Sequence, residues 1–457
     1  MDIPRVLIAG IRSKIGKTMI SIGLMRALRN RGYVVQPYKV GPDFIDPIFH
    51  RFATGRYSRN LDDFMLTKAD LIETFERNFR GADIAIIEGK TGLYDSHDGL
   101  HEEGSTAHVA KILKSPVVLV ADVERINRSI AAILMGYRVF DPDVDIRGVI
   151  LNRIGNPRHR MKVKMAVERL VEMEVLGLIP RLKDVDMPYR HLGLIPAHER
   201  DEIDTLFDRL AETIEKYVNV DRIIEIANSA PELDYVEQHP IFSSNRTDVT
   251  VGVIRDKPFS FYYQDNVDAL SAKANIVVID SLKDKRLPKV DALYIGGGFP
   301  EVFAEELERN RTLRKDVYDF CDSGRPVYAE CGGLMFLGES IEWKGNEYEM
   351  VGYLPFKTRM HERFQALGYC VYKAIKSNVI SVRGETVLGH EFHYSEVIPK
   401  GRLEFAFRVK RGKGIDGKYD GVIRKNTLAN YIHVHVLSNP NVVNRLIGIA
   451  SKIKRSL

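Results

Sequence analysis

Short apolar runs rich in Val and Ile recur through the first half of the chain, and longer segments with helical spacing separate them. The helical segments include 19–31 and 158–173. Strands that are apolar on both faces must be covered on both faces, which favours a parallel sheet between layers of helices. The runs that we predict as strands are 6–9, 34–38, 84–87, 117–120 and 149–151.

A second α/β pattern begins at Val249, after a polar stretch that contains two prolines. We predict strands at 250–254, 276–279, 292–295 and 327–329, helices at 301–310 and 313–321, and more antiparallel strands within 356–436. The polar stretch has no sustained period and is typical of a linker. We therefore predict domains at 1–227 and 249–457, joined by a linker at 228–248.

Composition narrows the class of protein. The 457 residues include three cysteines, which are too few for a disulfide framework and fit a reducing cytoplasm. No segment approaches the ~20 apolar residues of a membrane span, and the first residues lead directly into a strand rather than a signal peptide. A net charge of +5, from 67 basic and 62 acidic residues, gives no support for nucleic-acid binding. We expect a cytoplasmic protein without membrane or nucleic-acid partners.

The segment GIRSKIGKT follows the first strand and opens a helix. In that position backbone N–H groups and a helix N-terminus can hold phosphate oxygens, with Lys17 neutralising the terminal phosphates of ATP and the Thr18 hydroxyl ligating Mg²⁺. The usual pattern has its first glycine one position later than Gly10. The alternative is an ordinary strand-to-helix turn. The predicted ATP-binding residues of the loop are Gly10, Ser13, Gly16, Lys17 and Thr18.

Carboxylates near the ends of predicted strands support a nucleotide site. Asp43 and Asp46 follow the second strand, and Glu88 ends the strand at 84–87. Magnesium takes hard oxygen ligands, commonly one or two carboxylates beside phosphate oxygens, and ligands of open α/β sheets bind at the carboxyl ends of strands. Taken singly, each acid is equally well explained as a solvated loop residue or a helix cap.

The segment YAECGGLM has a strand pattern before it and an apolar helical pattern after it. Such a sharp turn exposes the side chain at its apex, and the helix N-terminus favours a thiolate. Cys331 is therefore a candidate nucleophile. Cys321 and Cys370 lack flanking glycines, and we interpret them as small buried hydrophobes.

A thiol nucleophile needs a base and donors for the oxyanion that it creates. The glycine run of YIGGGFPE comes directly after a predicted strand, so Gly297 and Gly298 can point N–H groups at an oxyanion together with Gly332. Two histidine-rich segments, HEFH at 390–393 and HVH at 433–435, contain candidate bases.

Several motifs of the first 200 residues, in this order, resemble the cobyrinic acid a,c-diamide synthase family. They are the loop IAG…GKT followed by KVGPDFIDP, TGRYSRNLD, IIEGKTGLYD, GST, ILNRIG and RHLGLIPAHE. That family belongs to the dethiobiotin-synthetase-like ATPases, which phosphorylate a carboxylate. The loop departs from the family's commoner form, since Ile11, Arg12 and Lys14 replace Thr, Ser and Gly.

The resemblance implies roles for individual residues of the first domain. Asn152 would face the adenine of ATP. The implied ligands of Mg²⁺ are Thr18, Asp43 and Glu88. The residues implied near the tetrapyrrole carboxylate are Ile45, Asp46, Tyr94 and Asp95.

The pattern AECGG…YIHVH resembles class I glutamine amidotransferases. By that resemblance His433 is the base of the Cys331 nucleophile. Many members of the class carry an acid two residues after this histidine. Here the position is His435, so we expect a Cys–His dyad.

Together the resemblances imply an α/β protein with an N-terminal P-loop parallel-sheet domain and a C-terminal glutamine amidotransferase-like domain. The implied activity is ATP- and glutamine-dependent amidation of a cyclic tetrapyrrole polycarboxylate, with Mg²⁺, ATP and L-glutamine as its other partners. Cobyrinate is the expected substrate and nickel sirohydrochlorin the alternative. Cobyric acid synthase and a regulatory P-loop ATPase are remoter alternatives, and a homodimer is left open.

Overall fold

The computed structural model of the chain describes residues 2–182, 197–243 and 245–456. It separates into two compact units, Met1–Gln238 and His239–Leu457. Within the described ranges, no helix has both the length and the apolar character needed to cross a bilayer. The motif at 190–199 lies outside the described residues up to position 196.

The first unit is built on a parallel sheet in the strand order β3-β2-β4-β1-β5-β6-β7. All six residues of β1 and of β5 are buried, as expected for strands that helices cover on both faces. The strands are β1 (Arg5–Gly10), β2 (Val35–Val40), β3 (Arg59–Leu61), β4 (Ile84–Glu88), β5 (Val117–Asp122), β6 (Ile146–Ile154) and β7 (Val175–Pro180).

Register aligns the carboxyl ends of the central strands of this sheet. Glu88 of β4 lies opposite Ile8 of β1 and Lys39 of β2. Side chains that follow these strands therefore meet at one edge. The helices are α1 (Lys17–Asn30), α2 (Ile45–Thr54), α3 (Lys68–Phe79), α4 (Thr106–Ile112), α5 (Ser129–Phe140), α6 (Pro157–Leu170), α7 (Ala197–Tyr217) and α8 (Val220–Asn228).

A fully buried arginine ties the segment after α8 to the first unit. Arg5 donates hydrogen bonds to the carbonyls of Ile3 at 2.8 Å, Leu113 at 2.7 Å and Pro231 at 2.5 Å. Since its side chain is inside, each of these bonds replaces one that water would otherwise make. The chain immediately beyond Asn228 therefore packs as part of the first unit.

The second unit contains two sheets. The strands are β8 (Thr250–Ile254), β9 (Asn275–Ile279), β10 (Ala292–Ile295), β11 (Val327–Glu330), β12 (Ser340–Trp343), β13 (Asn346–Glu349), β14 (Phe356–Met360), β15 (Ala366–Ala374), β16 (Thr386–His393), β17 (Ser395–Pro399), β18 (Phe405–Arg411), β19 (Tyr419–Arg424) and β20 (Thr427–Asn430). The larger sheet has the order β16-β15-β18-β19-β20-β11-β10-β8-β9 and the smaller one β13-β12-β14-β17.

The larger sheet changes character along its width. From β9 to β20 the neighbours are parallel, and from β20 to β16 they are antiparallel. The antiparallel part falls in the region for which the sequence predicted it. The predicted α/β class is confirmed for both units.

Helices of the second unit are α9 (Gln264–Lys273), α10 (Ala304–Arg309), α11 (Arg311–Asp322), α12 (Gly332–Leu337) and α13 (Asn441–Ser456). The helix predicted at 301–310 is shorter than expected. Its first turn, Pro300–Phe303, is a 3-10 helix, and the α-helix begins only at Ala304. The chain enters this helix from the glycine turn before Pro300. Its first turn there has the tighter winding of a 3-10 helix, which shortens the α-helical part.

Candidate functional site

The predicted phosphate loop connects β1 to α1. Gly16 has φ +89°, a left-handed conformation that favours glycine, and a Cβ atom there would lie 2.5 Å from Nδ2 of Asn152. That same Nδ2 donates to the Ile15 carbonyl at 2.8 Å. Asn152, predicted to face adenine, thus braces the loop directly in this structure.

Charged side chains outside the loop also hold it. Arg153 pairs with Asp122 at 2.6 Å and donates to the Lys14 carbonyl at 3.2 Å. Arg12, one of the residues that departs from the family pattern, pairs with the same carboxylate at 3.1 Å. Asp122 is almost fully buried, so two guanidinium groups compensate its charge. Arg12 therefore has a partner at the end of β5, and Arg153 links the Lys14 carbonyl to the same carboxylate.

A buried lysine lies at the centre of the predicted metal ligands. Lys39 Nζ is 2.5 Å from Asp46, 3.0 Å from Glu88 and 3.8 Å from Asp43. His50 Nε2 lies 2.7 Å from the other oxygen of Glu88. The structure thus brings the three predicted carboxylates together around one ammonium group.

Burial sets the protonation of this group. It lowers the pKa of Lys17 to about 8, and the charge of Lys39 acts in the same direction. It raises the pKa of Asp46 well above its usual range. Burial also opposes ionisation of Glu88, but the charge of Lys39 and the hydrogen bond to His50 outweigh it and hold the Glu88 pKa well below its usual range.

The oxygen donors at this edge fit Mg²⁺ in the form in which nucleotide sites use it. Thr18 Oγ1 donates to Glu88 Oε1 at 2.7 Å, and the Asp43 side chain is about a third exposed. No three acidic, histidine or cysteine side chains of the described residues form a complete metal cage by themselves. A nucleotide-bound Mg²⁺ needs only one or two carboxylates, because phosphate oxygens supply other ligands.

Residues predicted near the substrate make mainly structural contacts here. Tyr94 donates to the Tyr137 carbonyl at 2.7 Å and packs against Phe140 of α5. Asp95 accepts from the Gly92 amide at 2.7 Å and so closes the turn after β4. Ile45, the first residue of α2, donates its amide to Asp43 at 2.7 Å. Asp46 is committed to Lys39.

In the second unit, Cys331 occupies a strained turn between β11 and α12. Its backbone has φ +46° and ψ −95°, and its amide donates to Asn430 at 2.7 Å. A Cβ atom at Gly332 would lie 3.0 Å from Pro300 and 3.1 Å from the Gly298 amide nitrogen. The glycine run and the cysteine turn therefore approach each other closely, as glycine permits.

One of the three predicted oxyanion donors already donates its amide to another group. The Gly297 amide donates to the Phe261 carbonyl at 3.2 Å, in a bridge that Phe261 completes by donating back at 2.9 Å. This bond directs the Gly297 N–H away from an oxyanion. Of the three predicted donors, the Gly298 amide and the neighbouring Gly332 amide are the two for which the prediction stands.

His433 has an acidic partner that the dyad prediction did not include. Its Nδ1 lies 3.2 Å from Oε2 of Glu330, the residue before the nucleophile. Tyr328 donates to the other oxygen of Glu330 at 2.6 Å. All three side chains are buried. A histidine held in this way by a carboxylate has the orientation and the charge compensation of a general base.

His435 has a different partner. Its Nε2 lies 3.6 Å from Asp265, at the start of α9. The main chain of His433 forms an isolated bridge with His390, and the two imidazole rings stack with centroids 5.2 Å apart. His390 thus supports the position of His433 from the neighbouring strand.

Cys331, the predicted nucleophile, is buried, and its thiol is protonated. Burial raises the pKa of Cys331 well above its usual range, and the charges of Glu301 and Glu330 add to the effect. The sequence led us to expect that the helix N-terminus would favour a thiolate. Desolvation and the two nearby acids outweigh that contribution. Cys321 and Cys370 are also buried, as predicted, and burial raises the Cys321 pKa to about 12.

For two residues of these sites the sequence analysis predicted no role. Glu330 is a carboxylate inside the otherwise apolar strand segment VYAE, directly before the nucleophile. Lys39 is the second-last residue of β2 and precedes two acids. A charged residue in a run that is predicted to be buried is the available signal, because burial of a charge requires a partner.

Comparison with protein families matches both units. Residues 6–195 match the CobQ/CobB/MinD/ParA nucleotide binding domain. Residues 250–441 match the CobB/CobQ-like glutamine amidotransferase domain. The P-loop region and the cysteine turn fall inside the respective matches.

Curated proteins are similar over the whole chain. A cobyrinate a,c-diamide synthase of Archaeoglobus fulgidus is 63% identical and covers 99% of this chain and 99% of its own length. A protein of the same name from Methanothermobacter thermautotrophicus is 44% identical, covering 95% of this chain and 97% of its own. One from Listeria innocua is 38% identical, covering 98% and 100%.

Removal of the Lys39 ammonium tests the charge cluster. Lys39→Gln should lower the free energy of unfolding of the first unit by about 3–5 kcal/mol, because three carboxylates lose their shared cation. Mg²⁺ should restore part of this loss, since it compensates the same charges. Urea unfolding followed by far-ultraviolet circular dichroism, with and without Mg²⁺, measures both effects.

Lys162, exposed on α6, provides the matched control. Lys162→Gln should change the unfolding free energy by less than about 0.5 kcal/mol. Equal stability of the two variants would contradict the view that Lys39 compensates the cluster.

Proposed function

Because the chain belongs to the cobyrinate a,c-diamide synthase family, we propose that it is an ATP- and glutamine-dependent ligase that converts the a- and c-acetate side chains of a corrinoid precursor into amides. The observation that supports this proposal is that each unit contains the residues predicted for one of the two sites. The first has a lysine-containing phosphate loop beside a carboxylate cluster. The second has a cysteine at a strained turn with a carboxylate-held histidine.

The chemistry requires both sites. A carboxylate is a poor electrophile, and ammonia is mostly protonated at neutral pH. Phosphorylation of the acetate gives it a leaving group, and ammonia released inside a protein is kept from protonation by bulk water. Amide formation from an acetate and glutamine thus needs one unit for activation and one for ammonia release.

In the first unit, the loop amides and Lys17 hold the phosphates of ATP. Mg²⁺ would be held by Thr18, Asp43 and Glu88, and when bound it supplies positive charge that stabilises the phosphates during transfer. Lys39 keeps Asp46 and Glu88 in place. The γ-phosphoryl group passes to an acetate oxygen of the macrocycle, with ADP as the leaving group, and an acyl phosphate results.

In the second unit, His433 accepts the thiol proton while Sγ of Cys331 attacks the side-chain amide carbon of glutamine. The Gly298 and Gly332 amides stabilise the oxyanion of the tetrahedral intermediate. Its collapse breaks the C–N bond, and His433 returns the proton to the departing ammonia. Water then hydrolyses the glutamyl thioester and releases glutamate. Ammonia displaces phosphate from the acyl phosphate of the first unit.

The proposed position of the macrocycle rests on the family resemblance and on the carboxylates that surround Lys39. We propose that Tyr94, Asp95 and Ile45 lie near its carboxylates and that Asp46 acts there through Lys39. We further propose that Asn152 contacts the adenine when ATP binds. The hydrogen bond from Asn152 Nδ2 to the Ile15 carbonyl would then break. A cytoplasmic setting fits the three free thiols and the use of ATP.

The regulatory ATPase alternative does not account for the second unit, since a nucleotide switch has no use for a nucleophilic cysteine with its own base. The similar proteins are named cobyrinate a,c-diamide synthases, and nickel sirohydrochlorin stays the alternative substrate. Both macrocycles carry acetate groups, so a direct comparison of the two decides between them.

Incubation with ATP, Mg²⁺ and amide-¹⁵N-glutamine, separately with cobyrinate and with nickel sirohydrochlorin, tests the proposed activity. Product mass should show two labelled amides on cobyrinate. Cys331→Ser should lose this labelling because the nucleophile is removed, and it should still form the diamide from ammonium salts. Equal loss of both reactions, or no amidation of either macrocycle by the wild type, would contradict the proposal.

Neutralisation of Glu330 tests the carboxylate behind the base. Glu330→Gln should reduce kcat for glutamine hydrolysis by about 10²–10⁴-fold, because His433 loses the group that orients it and stabilises its charged form. KM for glutamine should change little, since Glu330 lies behind the histidine and away from the substrate. Steady-state kinetics of glutamate release separates the two parameters.

Tyr328→Phe is the control for this variant, since it removes a neighbour of Glu330 and leaves the carboxylate. Its kcat should stay within about tenfold of the wild type. A Glu330→Gln enzyme with wild-type kcat, or with a change confined to KM, would argue for a purely structural Glu330.

A further inference from the structure

A narrow cleft lies against the nucleophile in the second unit. Its free volume is about 10 Å³, the space of about one water molecule. Side chains therefore have to move when a substrate enters. Its walls include Phe299, Glu301, Cys331, Met335, Met360 and Phe392.

Glu301 is a buried acidic residue among the side chains that line this cleft. It belongs to the GGGFPE segment, and its side chain is only 6% exposed. In residues 2–182, 197–243 and 245–456, no lysine, arginine or histidine is found to pair with it. The hydrogen bond that favours its ionised form comes from its own amide, and burial raises its pKa to about 8. Without a ligand the group is therefore mostly protonated at neutral pH, and a cation that arrives with a ligand would favour its ionised form.

The position of Glu301 is fixed relative to the reacting atoms. Pro300, the residue before Glu301, packs against Gly332. A Cβ atom added to Gly332 would lie 3.0 Å from Cδ of Pro300. The same Cβ atom would lie 3.1 Å from the amide nitrogen of Gly298. Glu301 is also close enough to Cys331 for its charge to raise the pKa of the thiol. One short turn thus carries an oxyanion donor at one end and a buried acid at the other.

We propose that the Glu301 carboxylate binds the α-ammonium group of L-glutamine and so selects this amino acid for the cleft. The proposal rests on the proposed function, since it concerns the substrate of the same cysteine. Glutamine brings one positive charge, its ammonium, at the end of the molecule away from the amide that Cys331 attacks. When the ammonium binds, Glu301 releases its proton to solvent and supplies the complementary charge beside Cys331.

Other groups at the cleft do not supply that charge. His393 lines it, but burial lowers the His393 pKa to about 3, so it is neutral. The Cys331 thiol is protonated. Glu330 lies behind the nucleophile, where its two oxygens are engaged with His433 and Tyr328. Among the described cleft residues, the carboxylate with capacity for a new cation is Glu301.

A substrate pair that differs only in the ammonium tests this subsite. L-Glutamine is compared with glutaramate, which keeps the amide and the carboxylate and has hydrogen in place of the ammonium. The wild type should hydrolyse glutaramate with kcat/KM lower on the order of 10²-fold, because a buried acid then lacks its cation. Glu301→Gln should raise KM for L-glutamine by a similar factor, on the order of 10²-fold, and should abolish the preference between the two substrates.

Two further variants and one reaction keep the result interpretable. Glu306→Gln, on the exposed face of α10, should leave KM and the preference unchanged. Glu301→Asp, which keeps the charge, should retain the preference. Ammonia-dependent amidation by Glu301→Gln should equal that of the wild type, since ammonia bypasses the cleft, and an unchanged kcat for L-glutamine at saturation should show that the second unit is folded.

The possible results separate the subsite from the overall function. A wild type that hydrolyses both substrates equally, or a Glu301→Gln enzyme that keeps its KM and its preference, overturns the ammonium subsite. A wild type that uses ammonia but releases none from glutamine overturns the proposed function and the subsite with it.

Discussion

A parallel strand that turns directly into a helix constrains both units of this protein. At such a turn the strand's last residue, the loop amides and the first turn of the helix converge on one edge of the sheet. Gly16 meets this requirement in the first unit with φ +89°, and Cys331 meets it in the second with φ +46°. A positive φ thus occurs at this kind of turn in both units, once in the predicted phosphate loop and once at the predicted nucleophile.

Both edges depend on carboxylates that are buried and compensated. Glu88 is fully buried and has Lys39 and His50 as partners. Glu330 is buried between Tyr328 and His433. A charge in such a place is tolerated because specific donors replace water, and those donors become fixed in turn. Each carboxylate therefore fixes a side chain for which we predict a role, Thr18 as a Mg²⁺ ligand in one unit and His433 as a base in the other.

The sequence alone was sufficient for the α/β class, for most strands and for the two turns, because these depend on local patterns of apolar residues and glycine. It was insufficient where partners come from distant strands. The pairing of Glu330 with His433 joins residues 103 positions apart, and that of Lys39 with Glu88 joins residues 49 apart. Spacing carries no signal for such contacts. The bond that engages the Gly297 amide depends likewise on Phe261, which no motif marks.

Burial of Cys331 decides what the second unit requires of its base. A cysteine that is already a thiolate can attack without a proton acceptor, whereas one whose pKa is raised must lose its proton as it attacks. The proton then goes to the base, which becomes a cation inside the protein. An isolated buried imidazolium is costly, and the Glu330 carboxylate at 3.2 Å offsets that cost where the charge develops. The desolvation that keeps the Cys331 thiol protonated thus explains why an acid behind His433 suits the proposed role of this histidine as a base.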